Sequence, residues 1–512
     1  MIVITNTENM SLGDLVLAAA AKYKKRPAFQ IYRDGGVYDR LSYEDFGLLS
    51  RRFAAILSGF GIGPGKKVML LSENRPEWPA AYFGIALTGA VIVPVLTEFV
   101  PEQIKMMACH AEVSAICLSE KMTAKIADAG IAETIPRIYI DTIEKENNVK
   151  NTPDTFPKVS IDECAAIIYT SGTTGAGKGV MLSHRNLLFT AAASRSLMKI
   201  YFRDRLLSVL PLAHTYECTL GLLTVIMCGA SVTYLDRPPS PAVLIPAIAN
   251  LRPTAMVTVP LFIEKIYRAL IAPKLQKHFL SEKIMGLKLA SLFGNSLRFF
   301  GSGGAALAED VERFLRKARF PYSPGYGLTE AAPLVTGSAP YHFPFRSAGS
   351  AVQGVAIRIS PEGEIQVKGP NVMMGYYKDD DMTKEAFTTD GTDNVWLKTG
   401  DLGYLDKKGF LYIRGRIKAL ILGPSGENIY PEEIETLLLS SEFVDEALVY
   451  AGEDGTLSAF IRLAENSGPL DTEELKNQIN KKLPAYSRLG RIEIKTENFE
   501  KTATGKIKRI VR

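Results

Sequence analysis

The sequence predicts an α/β protein. A large N-terminal domain of parallel-type sheets flanked by helices carries a small β-rich subdomain, and a small α+β domain follows. Three observations predict this. The chain has 512 residues, more than one hydrophobic core organises, so it should divide. Between residues 41 and 118 short apolar runs alternate with stretches of helical spacing, the pattern of parallel strands joined by right-handed crossovers. From about Gly349 the texture changes to short strands and turns, and beyond 418 helix and strand mix again. The expected domains are therefore 1–417, with the β-rich subdomain at about 345–417, and 418–512.

Taken in order, Ser11–Arg26 has helical apolar spacing through Leu12, Leu15, Val16, Ala19 and Ala20. Ser42 reads as an N-cap, with Glu44 and Asp45 in the first turn of a helix running to Phe60. Gly61-Ile-Gly-Pro-Gly65 ends it, and Lys67–Leu71 is a strand. Helix Pro79–Leu87, strand Ala90–Val95, helix Pro101–Ala108 and strand Ala115–Leu118 follow, and Asn147–Pro157 is a polar connector. Further strands are expected from Leu206, over Thr254–Pro260 and from Leu297, with helices from Phe262 and over Asp310–Lys317. Ala356–Ser360, Glu364–Lys368 and Gly409–Ile413 supply the β-rich subdomain. Helix Pro431–Leu439, strands Phe443–Val449 and Leu457–Leu463, helix Thr472–Leu483 and strand Ile492–Ile494 make a unit of roughly one hundred residues, an ordinary domain size.

The most chemically loaded stretch is Tyr169-Thr-Ser-Gly-Thr-Thr-Gly-Ala-Gly-Lys-Gly-Val180, set between two apolar runs. Glycines let successive backbone N–H groups turn inward and form a concave anion site. Ser171, Thr173 and Thr174 add donors, and Lys178 adds a point charge suited to phosphate. Gly172-x-x-x-x-Gly177-Lys178 has P-loop spacing, but Gly179 stands where a P-loop needs Ser or Thr for its magnesium ion. The loop reads as a polyphosphate cradle of another kind.

Other segments carry groups for the same ligand. His214, in Pro211-Leu-Ala-His-Thr-Tyr-Glu217, sits where a buried strand breaks into a loop, a usual place for ligand contacts in α/β sheets. The Gly303-Gly304-Ala305 turn after the strand from Leu297 suits close backbone approach. Tyr322-Ser-Pro-Gly-Tyr-Gly-Leu-Thr-Glu330 is expected to place Thr329 and Glu330 side by side after a tight turn. The hydroxyl suits a phosphate oxygen, the carboxylate a magnesium ion, and Tyr326 a base. Asp401, also expected after a tight turn, suits the two hydroxyls of a ribose. Lys501-Thr-Ala-Thr-Gly-Lys506 is a basic, glycine-containing loop near the terminus.

Composition excludes several classes. The net charge of +5 is spread along the chain, so no nucleic-acid partner is expected, while peripheral contact with anionic lipid stays open. Cys109, Cys117, Cys164, Cys218 and Cys228 show no CxxC pattern and no metal-ligand spacing with the five histidines, which suits reduced thiols in the cytoplasm. The N-terminus lacks a signal-peptide pattern. The uncharged runs Trp78–Thr97 and Cys218–Leu235 are broken by glycines and read as buried helix leading into buried strand, so a soluble protein is expected.

Together the segments Tyr169–Val180, Pro211–Glu217, Gly325–Glu330, Thr399–Asp401, Gly415–Glu435 and Lys501–Lys506 resemble, in order, the adenylate-forming superfamily of acyl-CoA synthetases, nonribosomal adenylation domains and luciferases. The segments Pro211–Glu217, Thr258–Lys265 and Gly426–Glu435 look most like its long-chain fatty acyl-CoA synthetase branch. The resemblance implies attack of a fatty carboxylate on the α-phosphate of Mg·ATP, then transfer of the acyl group from AMP to coenzyme A. It implies that Thr170, Ser171, Gly172, Thr173, Thr174, Gly175 and Lys178 hold the β/γ-phosphates, Thr329 the α-phosphate and Glu330 the magnesium ion. Gly303, Gly304, Ala305 and Tyr326 would flank the adenine, Gly327 would also belong to the nucleotide site, and Asp401 and Arg416 would hold the ribose. Lys506 would bridge carboxylate and α-phosphate, and His214 would stand where the acyl tunnel meets the site. A mobile C-terminal domain is implied, pivoting at Lys418, with Lys506 delivered in one orientation and Gly426 brought to the coenzyme A channel in the other.

The chain departs from the family pattern at Gly177 and Glu500, where proline is usual, and at Ala419, where an acid is common. None removes a group that the chemistry needs. The resemblance leaves open an acyl-AMP ligase or a loader of acyl carrier protein, and the residues alone leave open a nucleotide binder without catalysis. Acyl length and the choice between monomer and homodimer are not legible.

Overall fold

The structure, a computed structural model, describes residues 4–5, 7–143, 155–170, 177–276, 281–391, 394–422, 428–441, 443–452, 456–464, 468, 470–501, 507 and 509. Two large sheets organise its N-terminal part. One has nine strands in the order Ser350–Ala351, Leu334–Gly337, Tyr322–Gly327, Phe299–Ser302, Ala255–Thr258, Arg205–Leu207, Ser231–Leu235, Pro27–Arg33 and Gly36–Ser42. The other has seven, in the order Gly375–Tyr376, Lys178–Ser183, Cys164–Thr170, Val91–Val95, Lys67–Leu71, Ala115–Leu118 and Arg137–Tyr139. Both are parallel at the centre, as the alternation predicts, and mixed overall, because antiparallel strands close three of their four edges.

Apolar helices connect the sheets. Helices Leu12–Tyr23 and Tyr43–Gly59 start on the capping boxes of Ser11 and Ser42, each hydroxyl accepting from an amide that its Asp partner repays. From Trp78 onward every residue of helix Glu77–Leu87 is buried, as in a helix with apolar residues all round. The run from Cys218 is likewise a helix, Glu217–Cys228, leading into strand Ser231–Leu235, and its first part, Glu217–Leu223, is wound as a π-helix. One core cluster joins side chains of both sheets with these helices. Strand alternation sends Met256 and Phe300 to the other face of the nine-stranded sheet, into a second core with helices Pro241–Leu251, Glu282–Leu292 and Glu309–Lys317.

Residues 356–416 build a separate antiparallel sheet from Ala356–Ile359, Glu364–Lys368, Phe387–Thr389, Val395–Leu405 and Leu411–Arg416. Near the C-terminus, strands Val444–Ala451, Leu457–Leu463 and Arg491–Ile494 pack with helices Pro431–Leu439 and Thr472–Asn480 around a third core.

Two expected turns are absent. Pro324-Gly325 lies within strand Tyr322–Gly327, where pairing with Phe299–Ser302 on one side and Leu334–Gly337 on the other keeps the backbone extended. Gly400, with φ of +72°, kinks one continuous strand, Val395–Leu405, rather than ending it. Among the described residues, no helix is long and apolar enough to cross a membrane.

Candidate functional site

The glycine-rich loop joins two antiparallel strands. Cys164–Thr170 pairs with Lys178–Ser183 out to Thr170 opposite Lys178, so the stem delivers both residues to the loop's mouth. Ser171, Gly172, Thr173, Thr174 and Gly175 lie outside the described residues, as do Gly426 and Lys506. A P-loop leads from a strand into a helix; here it leads into a second strand, a larger departure than the missing Ser or Thr.

Three groups of contacts bring the remaining candidates together. In the first, the ammonium of Lys178 lies over the Tyr376 ring, 5.1 Å from its centroid, and the Tyr376 hydroxyl donates to Glu330 Oε1 at 3.0 Å. The strand carrying Tyr376 pairs with the loop's second strand, and the Met373 amide donates to the Glu330 carbonyl at 2.9 Å. Burial, with the Glu330 carboxylate beside it, holds the Tyr376 hydroxyl protonated far above the usual phenol range. Tyr376 was not among the sequence candidates.

In the second, the Tyr326 hydroxyl donates to Asp401 Oδ2 at 2.7 Å and Arg416 Nε lies 2.9 Å from Asp401 Oδ1. Strand register sets this, since Asp401 and Arg416 stand opposite one another. The kink at Gly400 is pinned by its amide on Glu364 Oε1, and the next amide, that of Asp401, donates to Thr399 Oγ1. Asp401 is buried while Arg416 is exposed, so the pair presents a carboxylate backed by a cation at the surface. Gly327 permits close approach here: a Cβ would lie 1.7 Å from the Pro333 carbonyl oxygen.

In the third, the Thr215 hydroxyl lies 3.3 Å from that of Thr329, which opens a short 3₁₀ turn ahead of Glu330. His214 Nδ1 accepts from the Tyr216 amide at 3.2 Å, so the neutral ring carries its proton on Nε2. Tyr216 packs on the strand end that holds Gly303, where a Cβ would lie 3.4 Å from Tyr216 Cζ and 3.4 Å from the Gly325 carbonyl oxygen. Gly304, with φ of +88°, and Ala305 are exposed at the carboxyl end of strand Phe299–Ser302. The neighbouring Glu217 is buried, its Oε2 has no hydrogen-bond partner among the described residues, and burial pushes its pKa up to about 8. Thr215 and Glu217 lie within a segment singled out for His214 alone.

Lys418 is exposed in the 3₁₀ turn Ile417–Ala419, two residues beyond Arg416. Among the described residues no three or more His, Cys, Asp or Glu side chains gather as a metal site. The hard oxygens of Glu330 and Thr329 suit magnesium, which binds through one or two carboxylates together with substrate phosphates.

Comparison with known proteins places the chain in a family. Residues 16–377 match the family model for the AMP-binding enzyme and residues 433–506 that for the AMP-binding enzyme C-terminal domain. The chain is 28% identical over 546 residues to a 4-coumarate–CoA ligase of Vanilla planifolia, covering 98% of this chain and 93% of that one. It is 29% identical over 477 residues to the peroxisomal long chain acyl-CoA synthetase 6 of Arabidopsis thaliana, covering 81% and 67%. Among solved structures, O-succinylbenzoate coenzyme A synthetase from Bacillus subtilis in complex with AMP is similar at a TM-score of 0.81, with 26% identity over 97% of each chain. The same enzyme with ATP and magnesium ion gives 0.80 and 25%, over 97% of this chain and 98% of that one.

Proposed function

This chain belongs to the AMP-binding enzyme family and is an adenylate-forming acid–CoA ligase, and we propose that its acid is a fatty acid. The observation that supports the nucleotide half of the reaction is the convergence of Lys178, Tyr376 and Glu330 with Tyr326, Asp401 and Arg416 through the single segment 326–330. One ligand with a polyphosphate at one end and a ribose at the other fits that arrangement.

In the first step a carboxylate oxygen of the acid bonds to the α-phosphorus of ATP and the bond to the β-phosphate bridging oxygen breaks, releasing pyrophosphate. No protein nucleophile is needed. The requirement is positioning and neutralisation of the charge that collects at phosphorus. In the proposal Thr170, Lys178 and the loop hydroxyls hold the β/γ-phosphates, and Thr329, backed by Thr215, holds an α-phosphate oxygen. Glu330 would hold magnesium, which supplies charge neutralisation when bound. Asp401 accepts from the ribose hydroxyls while Arg416 and Tyr326 keep it aimed. Lys506 would arrive from the C-terminal domain, which we take as 418–512, with Lys418 at its pivot. In the second step the sulfur of coenzyme A bonds to the acyl carbon, the bond to the AMP oxygen breaks, and the thiol proton leaves to solvent.

Fatty acids are supported by the segments Pro211–Glu217, Thr258–Lys265 and Gly426–Glu435 and by the long-chain relative. An aromatic acid is the second reading, favoured by the 4-coumarate–CoA ligase that matches nearly the whole chain. Acid-dependent exchange of pyrophosphate into ATP, run over short, long and aromatic acids, tests both. Fatty acids should give the highest kcat/KM; exchange with aromatic acids alone would replace the first reading by the second. Acyl-AMP that accumulates without thioester at saturating coenzyme A would indicate a carrier-protein acceptor.

A further inference from the structure

The turn after strand Lys67–Leu71 stands at the carboxyl edge of the seven-stranded sheet and reaches across to the nine-stranded one. Its Asn74 side chain makes three hydrogen bonds, all to one segment beyond strand Arg205–Leu207. Nδ2 donates to the Leu210 carbonyl at 2.7 Å and to Ser208 Oγ at 3.3 Å, and Oδ1 accepts from the Leu212 amide at 2.8 Å. A planar amide that donates to one carbonyl and accepts from an amide two residues on fixes both the position and the twist of that backbone.

The turn itself is held. Arg75 pairs with Glu77 at 2.8 Å and with Glu73 at 3.6 Å, and also with Asp141. Although burial works against its charge, these carboxylates keep the guanidinium firmly protonated. Ser119 Oγ donates to Glu73 Oε2 at 2.6 Å, and the Glu120 amide donates to Asp141 Oδ2 at 2.7 Å. The clamped segment leads within two residues to His214, whose amide donates to the Pro211 carbonyl at 3.0 Å, and then to Thr215, hydrogen-bonded to Thr329.

We propose that Asn74 is a positioning residue: its amide transmits the rigidity of the 72–77 turn to residues 208–212 and so sets where Thr215, Thr329 and His214 stand. It touches neither nucleotide nor acid in the proposed reaction. The kinetic part of the inference rests on the roles proposed above for Thr329 and His214; the mechanical part does not.

Two measurements test it on the full-length protein. Hydrogen–deuterium exchange over residues 208–216 reads the clamp directly, without substrate. In Asn74→Ala the segment should exchange about tenfold faster or more, because the Leu212 amide loses its acceptor. Unchanged exchange would overturn the proposal. Kinetically, Asn74→Ala should lower kcat for pyrophosphate exchange by about tenfold to a hundredfold while the Kd of MgATP stays within about threefold, because the Lys178 and Asp401 groups do not hang from this segment. In a Thr215→Val background the same substitution should add less than about threefold. Additive losses, or equal losses in Kd and kcat, would refute positioning. Asn74→Asp, isosteric but unable to donate to Leu210, serves if the alanine variant fails to fold, with the same kinetic outcomes. Absence of exchange with every acid in the unmodified enzyme would remove the ligase reading, and the hydrogen-exchange result would still decide the clamp.

Discussion

Glu217→Gln should change how stability depends on pH without changing the shape of the core. The side chain is fully enclosed, Oε1 lies 2.5 Å from where a Cβ on Gly221 would be, and burial raises its pKa from 4.5 to about 8 against the opposing pull of the Ser208 hydroxyl. Between those two values the folded protein keeps a proton that the unfolded chain releases. Stability is therefore fully present below about pH 4.5, falls as pH rises, and levels off above about 8. Each pH unit in that window costs about 1.4 kcal/mol, so wild type should lose about 4 kcal/mol relative to Glu217→Gln between pH 5 and 8. Glutamine keeps the volume and offers an N–H where the protonated acid offers O–H, but does not titrate. Urea unfolding of both proteins at intervals from pH 5 to 9, followed by far-UV circular dichroism, gives the difference at each pH. Two curves that stay parallel within about 1 kcal/mol would show that Glu217 ionises in the folded protein as it does in the unfolded chain, which would refute the effect of burial.

Four further outcomes are expected. His184, buried with Nδ1 accepting from the Leu12 amide, has its pKa lowered by burial from 6.5 to about 4. The unfolded chain takes up its proton first, so stability present above about pH 6.5 should fall by about 3 kcal/mol as pH drops to 4, a loss that acid unfolding of a His184→Gln variant should lack. Asp401→Ala should raise the Kd of MgATP by about tenfold or more in equilibrium binding, because a charge-assisted acceptor is lost and Arg416 is released from it. Gly327→Ala should cost about 3 kcal/mol or more of stability, or prevent folding, since the Pro333 carbonyl occupies the new methyl's place; a thermal melt reads this. Lys506→Ala should lose acid-dependent pyrophosphate exchange by about a thousandfold yet still convert supplied acyl-AMP to thioester. Equal loss in both steps would contradict delivery of Lys506 by a moving domain.

The elements written in local periodicity were legible. Lys67–Leu71, Ala115–Leu118 and Leu457–Leu463 are strands over the expected residues, the Ser42 cap starts its helix as read, and the apolar spacing after Ser11 is a helix. The hairpin Pro27–Arg33 and Gly36–Ser42 was not read, although Asp34 and Gly35, at φ of +48° and +81°, supply its turn. Its role depends on Ser231–Leu235, two hundred residues away, which no local pattern announces. The expected turns at Pro324-Gly325 and Gly400 failed for a related reason: proline and glycine end an element only where neighbouring strands do not carry their pairing through it. In the candidate site, Thr329, Glu330 and Asp401 stand out in the sequence because hydroxyl and carboxylate chemistry lies close to glycine; their roles are proposals. Tyr376 and Asn74 were not, since each acquires its meaning from a partner far along the chain.

The glycine loop closes an antiparallel hairpin whose stem stays paired from Cys164–Ser183 to Thr170–Lys178. With no helix starting at its far end, the loop gains no macrodipole to attract an anion, so in the proposed reaction its side-chain cation would carry more of the electrostatic work. Nucleotide affinity here should therefore respond steeply to ionic strength. The hairpin also makes the loop modular: with both ends already held in register, its length can change without shifting either strand.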